Sequence, residues 1–363
     1  MSVQVSYKKQ TALVLIIFLI VLIIIEISAT LFVINITECA FKNSEVFENI
    51  DTILLNTICD DYLSLDRTYN EYFQLKPNQN YETISINQYG FRGDDFTFEK
   101  SDDVYRIIMI GGSTIFGVGS TSNESTIPGY LQKNLNEFSL PYSIQVINAG
   151  YPSANSHSES KFVKDILLEF QPDMIVVYDG WNELQQPAEM LQQTNTNMIS
   201  LFLRDLRVSL PFYNTPVLIS EIGANIISSV SNNDSNLFDE KLEFEKVSWW
   251  KSNWDDVCEL ANEQDFEMVI SIQPIIGTGN KPLTDREAII LDSNPLFIQH
   301  ANHMSNLVSQ MYNMEHCLHT YDLTHSFDNV SEPIYFDQGH MSDNGNLIIA
   351  NKFTEILDPL LKN

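Results

Sequence analysis

Beyond Asp103, short apolar runs alternate along the chain with longer segments whose apolar residues recur three and four positions apart. Short buried strands separated by amphipathic helices are typical of a parallel sheet that is covered on both faces. The alternation therefore predicts a doubly wound α/β domain. The predicted strands cover residues 104–110, 144–149, 174–178, 268–272 and 318–323, and the predicted helices cover residues 127–138, 158–170, 240–266, 296–317 and 346–361.

The N-terminal segment adds a second constraint. Residues 12–34 form an apolar run of 23 residues in which Glu26 is the one ionisable side chain. About 20 apolar residues span a bilayer, so this run predicts a transmembrane helix. Lys8 and Lys9 precede it, and the positive-inside rule then predicts a single-pass cell-membrane protein with a cytoplasmic N-terminus and an extracytoplasmic domain. A cleaved signal peptide is the alternative, and it also exports the domain.

The chain divides into three predicted parts. Residues 1–35 form the cytoplasmic tip and anchor, residues 36–103 a juxtamembrane stalk or cap, and residues 104–363 the α/β domain, in which residues 183–240 form an insertion or lid. The segment 87–93, with the sequence NQYGFRG, predicts turns at Gly90 and Gly93 around Phe91 and Arg92. The alternative is that Arg92 reaches a functional site.

The charge balance excludes one class of partner. The chain of 363 residues is 44% hydrophobic, which is a folding composition, and it carries 20 basic against 48 acidic side chains, a formal net charge of −28. Affinity for nucleic acid depends on clustered Lys and Arg, so the composition predicts no nucleic-acid partner.

The candidate functional residues follow the predicted strands. In an open parallel sheet, ligands bind outside the carboxyl ends of the strands. Ser113 follows the first strand, Gly150 the second and Asn182 the third, and Asp337 and His340 lie near the C-terminus. A hydroxyl, a small-residue turn, an amide and an acid–base pair are together the components of a serine esterase.

Each of these residues has a predicted role. A serine hydroxyl needs a base to remove its proton, and His340 is suited to that at neutral pH. Asp337 lies three residues earlier and could orient the imidazole. The backbone N–H groups of Ser113 and Gly150 and the side-chain amide of Asn182 could form an oxyanion hole. The predicted catalytic residues are thus Ser113, Asp337 and His340.

Four sequence blocks carry a family resemblance: IMIGGSTIFG, INAGYPSANS, YDGWNEL and FDQGHMSDNGN. They place Ser113, Gly150, Asn182 and the Asp337–His340 pair in the chain order of the SGNH, or GDSL-like, hydrolases, which the sequence resembles over residues 104–361. The segment NQYGFRGDDF is similar to what precedes the first block in membrane-anchored members. The chain departs from the family pattern where Gly112 replaces an Asp and Glu183 follows Asn182 in place of an Asp.

The resemblance implies a three-layer α/β/α fold with a flavodoxin-like parallel sheet. It also implies hydrolysis of carboxylic O-acyl esters, on a small molecule, a glycan or a lipid, through an acyl-serine intermediate. One alternative is an O-acyltransferase that uses the same site, and a second is a non-catalytic glycan-binding or assembly protein. The oligomeric state stays open.

The four cysteines, and the histidines other than His340, show no pattern that predicts a cofactor or a metal site. Cys39, Cys59, Cys258 and Cys317 lack metal-ligand spacing, and Cys39 with Cys59 is the favoured disulfide, with free buried thiols as the alternative. The pairs His300 with His303 and His316 with His319 have one-turn spacing but no evident further ligand. Trp249, Trp250 and Trp254 have helical spacing, which favours a place in the core.

Overall fold

A computed structural model describes residues 7–36, 44–67, 75–185, 215, 219, 240–293 and 297–362. The chain separates into two compact units, Met1–Cys39 with Gln192–Phe238, and Ala40–Leu191 with Asp239–Asn363. Helix α1 of the first unit spans Tyr7–Ile36 and is long and apolar enough over Tyr7–Leu31 to cross a membrane. A signal sequence would meet the same criterion, so the predicted topology stays a prediction. Within this unit, Oε2 of Glu26 accepts a hydrogen bond from the Thr215 hydroxyl at 2.6 Å.

The second unit is built on a five-stranded parallel sheet. Its strands, numbered along the chain from the first strand of the sheet, lie in the order 2-1-3-4-5 of flavodoxin-like folds. The predicted α/β fold is therefore confirmed. A short hairpin of β1 (Gln79–Asn80) and β2 (Ser85–Ile86) precedes five sheet strands: β3 Val104–Gly111, β4 Ser143–Asn148, β5 Met174–Asp179, β6 Glu267–Ile272 and β7 His319–Asp322.

Helices cover both faces of this sheet. The helices described in this unit are α2 Thr52–Ser64, α3 Ser113–Phe116, α4 Ile127–Leu135, α5 Ser156–Asp165, α6 Glu240–Gln264, α7 Asp285–Asp292, α8 Phe297–Met311 and α9 Asp343–Leu361. Ile108 and Ile110 of β3 belong to one core with side chains of α5, α6 and α8, whereas Ile107 and Met109 belong to another with α4 and α9. Successive strand residues point to opposite faces, which produces the three layers.

The segment before the sheet packs against it. Phe91 is buried in the same core as Ile108, and Phe47 and Ile58 are also buried. Gly90 and Gly93 have φ angles of 89° and 116°, which a glycine adopts without steric cost, so the turns predicted around Phe91 form. The predicted insertion over 183–240 lies mostly outside the described residues.

The disulfide that the structure describes is compatible with the favoured pairing. Cys258 of α6 is bonded to Cys317, two residues before β7, with their Cα atoms 5.1 Å apart. Cys59 is also disulfide-bonded, so the alternative of free thiols is wrong for the described cysteines, and Cys39, the favoured partner of Cys59, lies outside the described residues. Trp250 and Trp254 are fully buried, which confirms their predicted place in the core, whereas Trp249 stacks on His157 with the ring centroids 4.9 Å apart.

Candidate active site

The turn that carries Ser113 leaves no room for side chains beside it. Strand β3 ends at Gly111, and Ser113 is the first residue of the four-residue helix α3. A Cβ atom on Gly111 would lie 2.4 Å from the carbonyl oxygen of Tyr178, and a Cβ atom on Gly112 would lie 2.3 Å from Nδ2 of Asn182. The two glycines therefore allow the backbone to approach its neighbours closely while the Ser113 side chain stays accessible.

Ser113, His340 and Asp337 form one hydrogen-bonded chain. The distance from Ser113 Oγ to His340 Nε2 is 2.7 Å, and that from His340 Nδ1 to Asp337 Oδ2 is 2.6 Å. The three residues predicted to be catalytic are thus brought together, with the imidazole between the hydroxyl and the carboxylate.

The Asp337 carboxylate is held by its own turn. The backbone N–H groups of Gly339 and His340 donate to Oδ1 at 2.9 and 2.7 Å. Burial alone would raise the pKa of Asp337, but the His340 charge and the hydrogen bonds from His340 and Gly339 outweigh it and lower that pKa. Asp337 is therefore ionised at neutral pH. The Phe336 ring lies parallel to the imidazole, 5.5 Å away between centroids, and limits its rotation.

The predicted oxyanion donors are placed unequally. The Asn182 amide lies against Gly112 and donates to the Ala154 carbonyl at 2.6 Å, which leaves its second N–H. Ser113 is the first residue of α3, so its backbone N–H has no partner within that helix. The Gly150 N–H instead donates to Oδ1 of Asn148 at 3.1 Å. Two of the three predicted donors therefore lie at the turn formed by Gly112 and Ser113, and the third is already engaged.

Side chains that the sequence analysis did not select hold the turn that carries Asn182. Asp179, the last residue of β5, accepts hydrogen bonds through Oδ2 from the indole N–H groups of Trp250 and Trp254 at 2.9 and 3.2 Å. Its Oδ1 accepts the Gly180 N–H at 2.6 Å. The i, i+4 pair of tryptophans on α6 was a usable signal, because a buried indole needs an acceptor.

Buried carboxyl groups surround this turn. Glu159 and Glu183 are both 0% exposed. Glu183 accepts the Ser156 N–H at 2.5 Å, whereas neither side-chain oxygen of Glu159 has a hydrogen-bond partner among the described residues. Burial, followed by the charge of Asp179, raises the pKa of both groups well above the ordinary value. These residues are too deep to meet a substrate, so their effect on the site is indirect.

The paired histidines have other partners. Nδ1 of His303 lies 2.8 Å from Oε1 of Glu243, and the His300 ring meets the Trp181 ring edge-on at 5.2 Å between centroids. His316 faces Asp255, 3.5 Å from its carboxylate. Among the described residues, no group of three or more His, Cys, Asp or Glu side chains could hold a metal ion.

Comparison with known proteins finds similarity in structure only. No family model and no curated protein matches the chain. An α/β hydrolase from the metagenome of Lake Arreo, Spain, is 12% identical, with a TM-score of 0.42 over 71% of this chain and 96% of that one. An acetylxylan esterase from Geobacillus stearothermophilus is 13% identical, with a TM-score of 0.41 over 70% and 94%. Likeness of this degree carries no inference about chemistry.

Proposed function

We propose that this protein is a serine hydrolase that cleaves carboxylic O-acyl esters through an acyl-Ser113 intermediate. The observation that carries the proposal is the chain of hydrogen bonds from Ser113 Oγ to His340 Nε2 at 2.7 Å and from His340 Nδ1 to Asp337 Oδ2 at 2.6 Å. A base within hydrogen-bond distance of the nucleophile, itself oriented by a carboxylate, is the arrangement that activates a serine.

The reaction proceeds in two halves. Ser113 Oγ attacks the ester carbonyl carbon while His340 Nε2 takes the hydroxyl proton, and Asp337 stabilises the resulting imidazolium. His340 then gives that proton to the leaving alcohol as the carbon–oxygen bond breaks, which leaves the acyl group on Ser113. A water molecule, deprotonated by His340, attacks the acyl-enzyme and releases the carboxylic acid and free Ser113.

The oxyanion of each tetrahedral intermediate is stabilised by the Ser113 N–H and the free N–H of the Asn182 amide. Each donor contributes roughly 2.7 to 4 kcal/mol, by comparison with measured deletions of such donors. Gly150 supplies a third donor when its N–H exchanges Oδ1 of Asn148 for the oxyanion. The first two donors support the proposal because they already lie at the turn formed by Gly112 and Ser113.

The enzyme acts on the outer side of a membrane to which α1 anchors it. An 18-residue window of α1 has a mean hydropathy of 3.2, and Lys8 and Lys9 favour a cytoplasmic N-terminus. The Cys258–Cys317 disulfide supports an oxidising compartment. The resemblance to the SGNH hydrolases favours O-acylated glycans or lipid esters as substrates.

Labelling of the purified full-length protein with a fluorophosphonate probe tests the proposal, because the probe reacts with activated serines and needs no knowledge of the substrate. The wild type should be labelled, and Ser113→Ala and His340→Ala should not be. His325→Ala is the matched control, because His325 also lies 2.9 Å from a carboxylate three residues away, that of Asp328. It should be labelled like the wild type.

A folded wild type that takes up no label would contradict the hydrolase and favour the non-catalytic binding protein. Label that persists in Ser113→Ala would place the reactive serine elsewhere. Products formed from an acetylated sugar, with and without a second sugar as acceptor, then separate hydrolysis from acyl transfer.

A further inference from the structure

Arg92 is buried and uses all of its hydrogen-bond donors. The side chain is 4% exposed, and its five guanidinium N–H groups make five hydrogen bonds of 2.7–3.1 Å. Burial lowers the pKa of Arg92 to about 9, so the group stays protonated at neutral pH. The acceptors are the main-chain carbonyls of Thr83, Phe116, Gly117 and Ser122 and Oδ1 of Asn123.

Two of these carbonyls end the helical turn that begins at Ser113. Phe116 is the last residue of α3, and Gly117 follows it with a left-handed φ of 88°. The last carbonyls of a helix have no partner within the helix, and here Arg92 supplies one for each through Nη1. The guanidinium also lies over the Phe116 ring, 5.1 Å from its centroid. Arg92 therefore fixes the C-terminal end of a helix whose N-terminal residue is the nucleophile.

Arg92 is also linked to the loop that carries Gly150. The Arg92 backbone forms an antiparallel bridge with Asn148 at the end of β4. Nδ2 of Asn148 donates to the Phe116 carbonyl at 3.4 Å, and Oδ1 of Asn148 accepts the Gly150 N–H. Arg92 thus contacts the end of β4 through its backbone and the turn after β3 through its side chain.

Arg92 is itself held from two directions. The flanking glycines set the turns of the 87–93 segment, and the Gly93 N–H donates to the Ser85 carbonyl of β2 at 2.9 Å. Asn123, which accepts from Nε of Arg92, donates through Nδ2 to the Ser85 hydroxyl at 2.6 Å. The hairpin and the loop after α3 therefore form a rigid support for the guanidinium.

From these contacts we infer that Arg92 is a positioning residue of the hydrolase: it holds α3 so that Ser113 stays in line with His340. The inference rests on the proposed function. Arg92 does not touch a substrate, because its donors are all engaged and its side chain is buried. Loss of the guanidinium leaves the Phe116 carbonyl with only the 3.4 Å bond from Asn148 Nδ2, and the Gly117 carbonyl with only the Ser120 N–H at 3.1 Å. The end of α3 is then held less firmly and can move relative to β3. Displacement of a reacting atom by about 1 Å is enough to slow catalysis on the order of 100-fold.

Arg106 offers a matched control for a structural effect alone. It is 1% exposed, donates to the carbonyls of Thr97, Phe98 and Phe170 and to Oε1 of Gln145, and lies 5.2 Å from the Phe96 ring centroid. Arg106 lies near the start of β3, at the opposite end of the strand from Ser113. Both arginines therefore cap main-chain carbonyls from the interior, and only Arg92 caps those of α3.

The experiment compares Arg92→Met, Arg92→Lys and Arg106→Met with the wild type, all as full-length protein at a temperature where thermal unfolding shows each to be folded. The rate constant of fluorophosphonate labelling and the kcat and KM for p-nitrophenyl acetate are measured. We expect Arg92→Met to lower the labelling rate and kcat by about 10- to 100-fold while KM changes by less than about 3-fold. Arg106→Met should stay within about 2-fold of the wild type, although it lowers Tm.

Arg92→Lys keeps the charge and can donate to three acceptors at most. Its labelling rate and kcat should therefore lie between those of the wild type and Arg92→Met. If Arg92→Met does not fold, Arg92→Lys provides the test. If the wild type is labelled and the Arg92 and Arg106 variants are labelled at equal rates, the positioning role is wrong and the proposed function stands. A rise in KM with unchanged kcat overturns the positioning role too, because that pattern indicates substrate contact. Failure of the folded wild type to label overturns the proposed function, and the positioning role falls with it.

Discussion

The Asp337 carboxylate decides which nitrogen of His340 carries the proton. A carboxylate 2.6 Å from Nδ1 accepts a hydrogen bond from it, which leaves Nε2 unprotonated and facing the Ser113 hydroxyl. Oδ1 of the same side chain accepts two backbone N–H groups, so the carboxylate cannot swing away from the ring without losing them. The four-residue turn from Asp337 to His340 thus favours the tautomer that the proposed mechanism needs.

Asp337→Asn tests this point. The amide can keep the shape of the turn but can present its NH₂ to Nδ1, which favours the wrong tautomer, and kcat for p-nitrophenyl acetate should fall by about 10⁴-fold, as in the comparable change in a serine protease. Stability should change little. Asp328→Asn, beside the exposed His325, serves as the control and should leave kcat unchanged. A loss smaller than about 10-fold in the Asp337 variant would remove the carboxylate from the mechanism.

At the scale of single residues, sequence patterns identified the side chains with distinctive chemistry. Ser113 and Asn182 follow predicted strands, and the three-residue spacing of Asp337 and His340 marks an acid–base pair, so the structure brings together residues that had been selected. The contribution of Arg92 was not predictable in this form. Its acceptors are main-chain carbonyls up to 30 residues away, and a carbonyl leaves no trace in residue type.

At the scale of the elements, a buried carboxyl group on α5, that of Glu159, lowers the stability of the fold when it ionises. Burial raises the pKa of Glu159 well above the ordinary value, and the charges of Asp179 and Glu183 raise it further. A group whose pKa is higher in the folded than in the unfolded state contributes stability below the unfolded pKa, near 4.5, and that contribution is lost as pH rises through the folded pKa. The chain is therefore less stable at neutral and alkaline pH than its packing alone would make it.

Glu159→Gln should remove this loss of folding stability. Glutamine resembles the protonated acid and stays neutral, so the variant should be more stable than the wild type at pH 8 by about 1 kcal/mol or more, and the difference should vanish near pH 4. Thermal unfolding at several pH values measures it, with a Tm increase of roughly 2–4 °C per kcal/mol. The exposed Glu169→Gln is the control. A stability gain that is independent of pH would contradict the explanation.

The limits of the helices are the part of the fold that the hydrophobic pattern predicts least well. The pattern over 158–170 is one amphipathic helix, but α5 ends at Asp165 and a 3₁₀ turn, Leu167–Phe170, continues the apolar face. Helix α7 was not predicted, because it has little apolar periodicity. Thr284 and Glu287 form a capping box at its start, and that S/T-x-x-E signal was readable in the sequence.

The whole molecule combines a helix of membrane-spanning length with a compact α/β unit. The two interpretations of α1, an uncleaved anchor and a signal sequence, differ in what stays attached to the domain. The pairing of the cysteines also concerns the whole molecule, because it joins distant parts of the chain. Cys258 and Cys317 are 59 residues apart, and of the three complete pairings that four cysteines allow, only the one that joins Cys39 to Cys59 contains this disulfide.

Extraction of isolated membranes with alkaline carbonate separates the two interpretations of α1. If α1 is an uncleaved anchor, the full-length chain should stay in the membrane pellet and be released by detergent, because an apolar helix of this length is held by the bilayer itself. Release of a shorter chain that begins beyond residue 25 would show that a signal peptide is removed. A peripheral protein of the same membrane, released by carbonate, is the control.

The proposed nucleophile Ser113 and its proposed base His340 are separated by 227 residues of chain. At the usual pace of translation, His340 is added roughly 10 to 45 seconds after Ser113. In the proposed mechanism, a nascent chain that stops before His340 therefore carries an inert serine. A hydrolase of the proposed kind cannot attack the esters around it until His340 has been added and the sheet has folded.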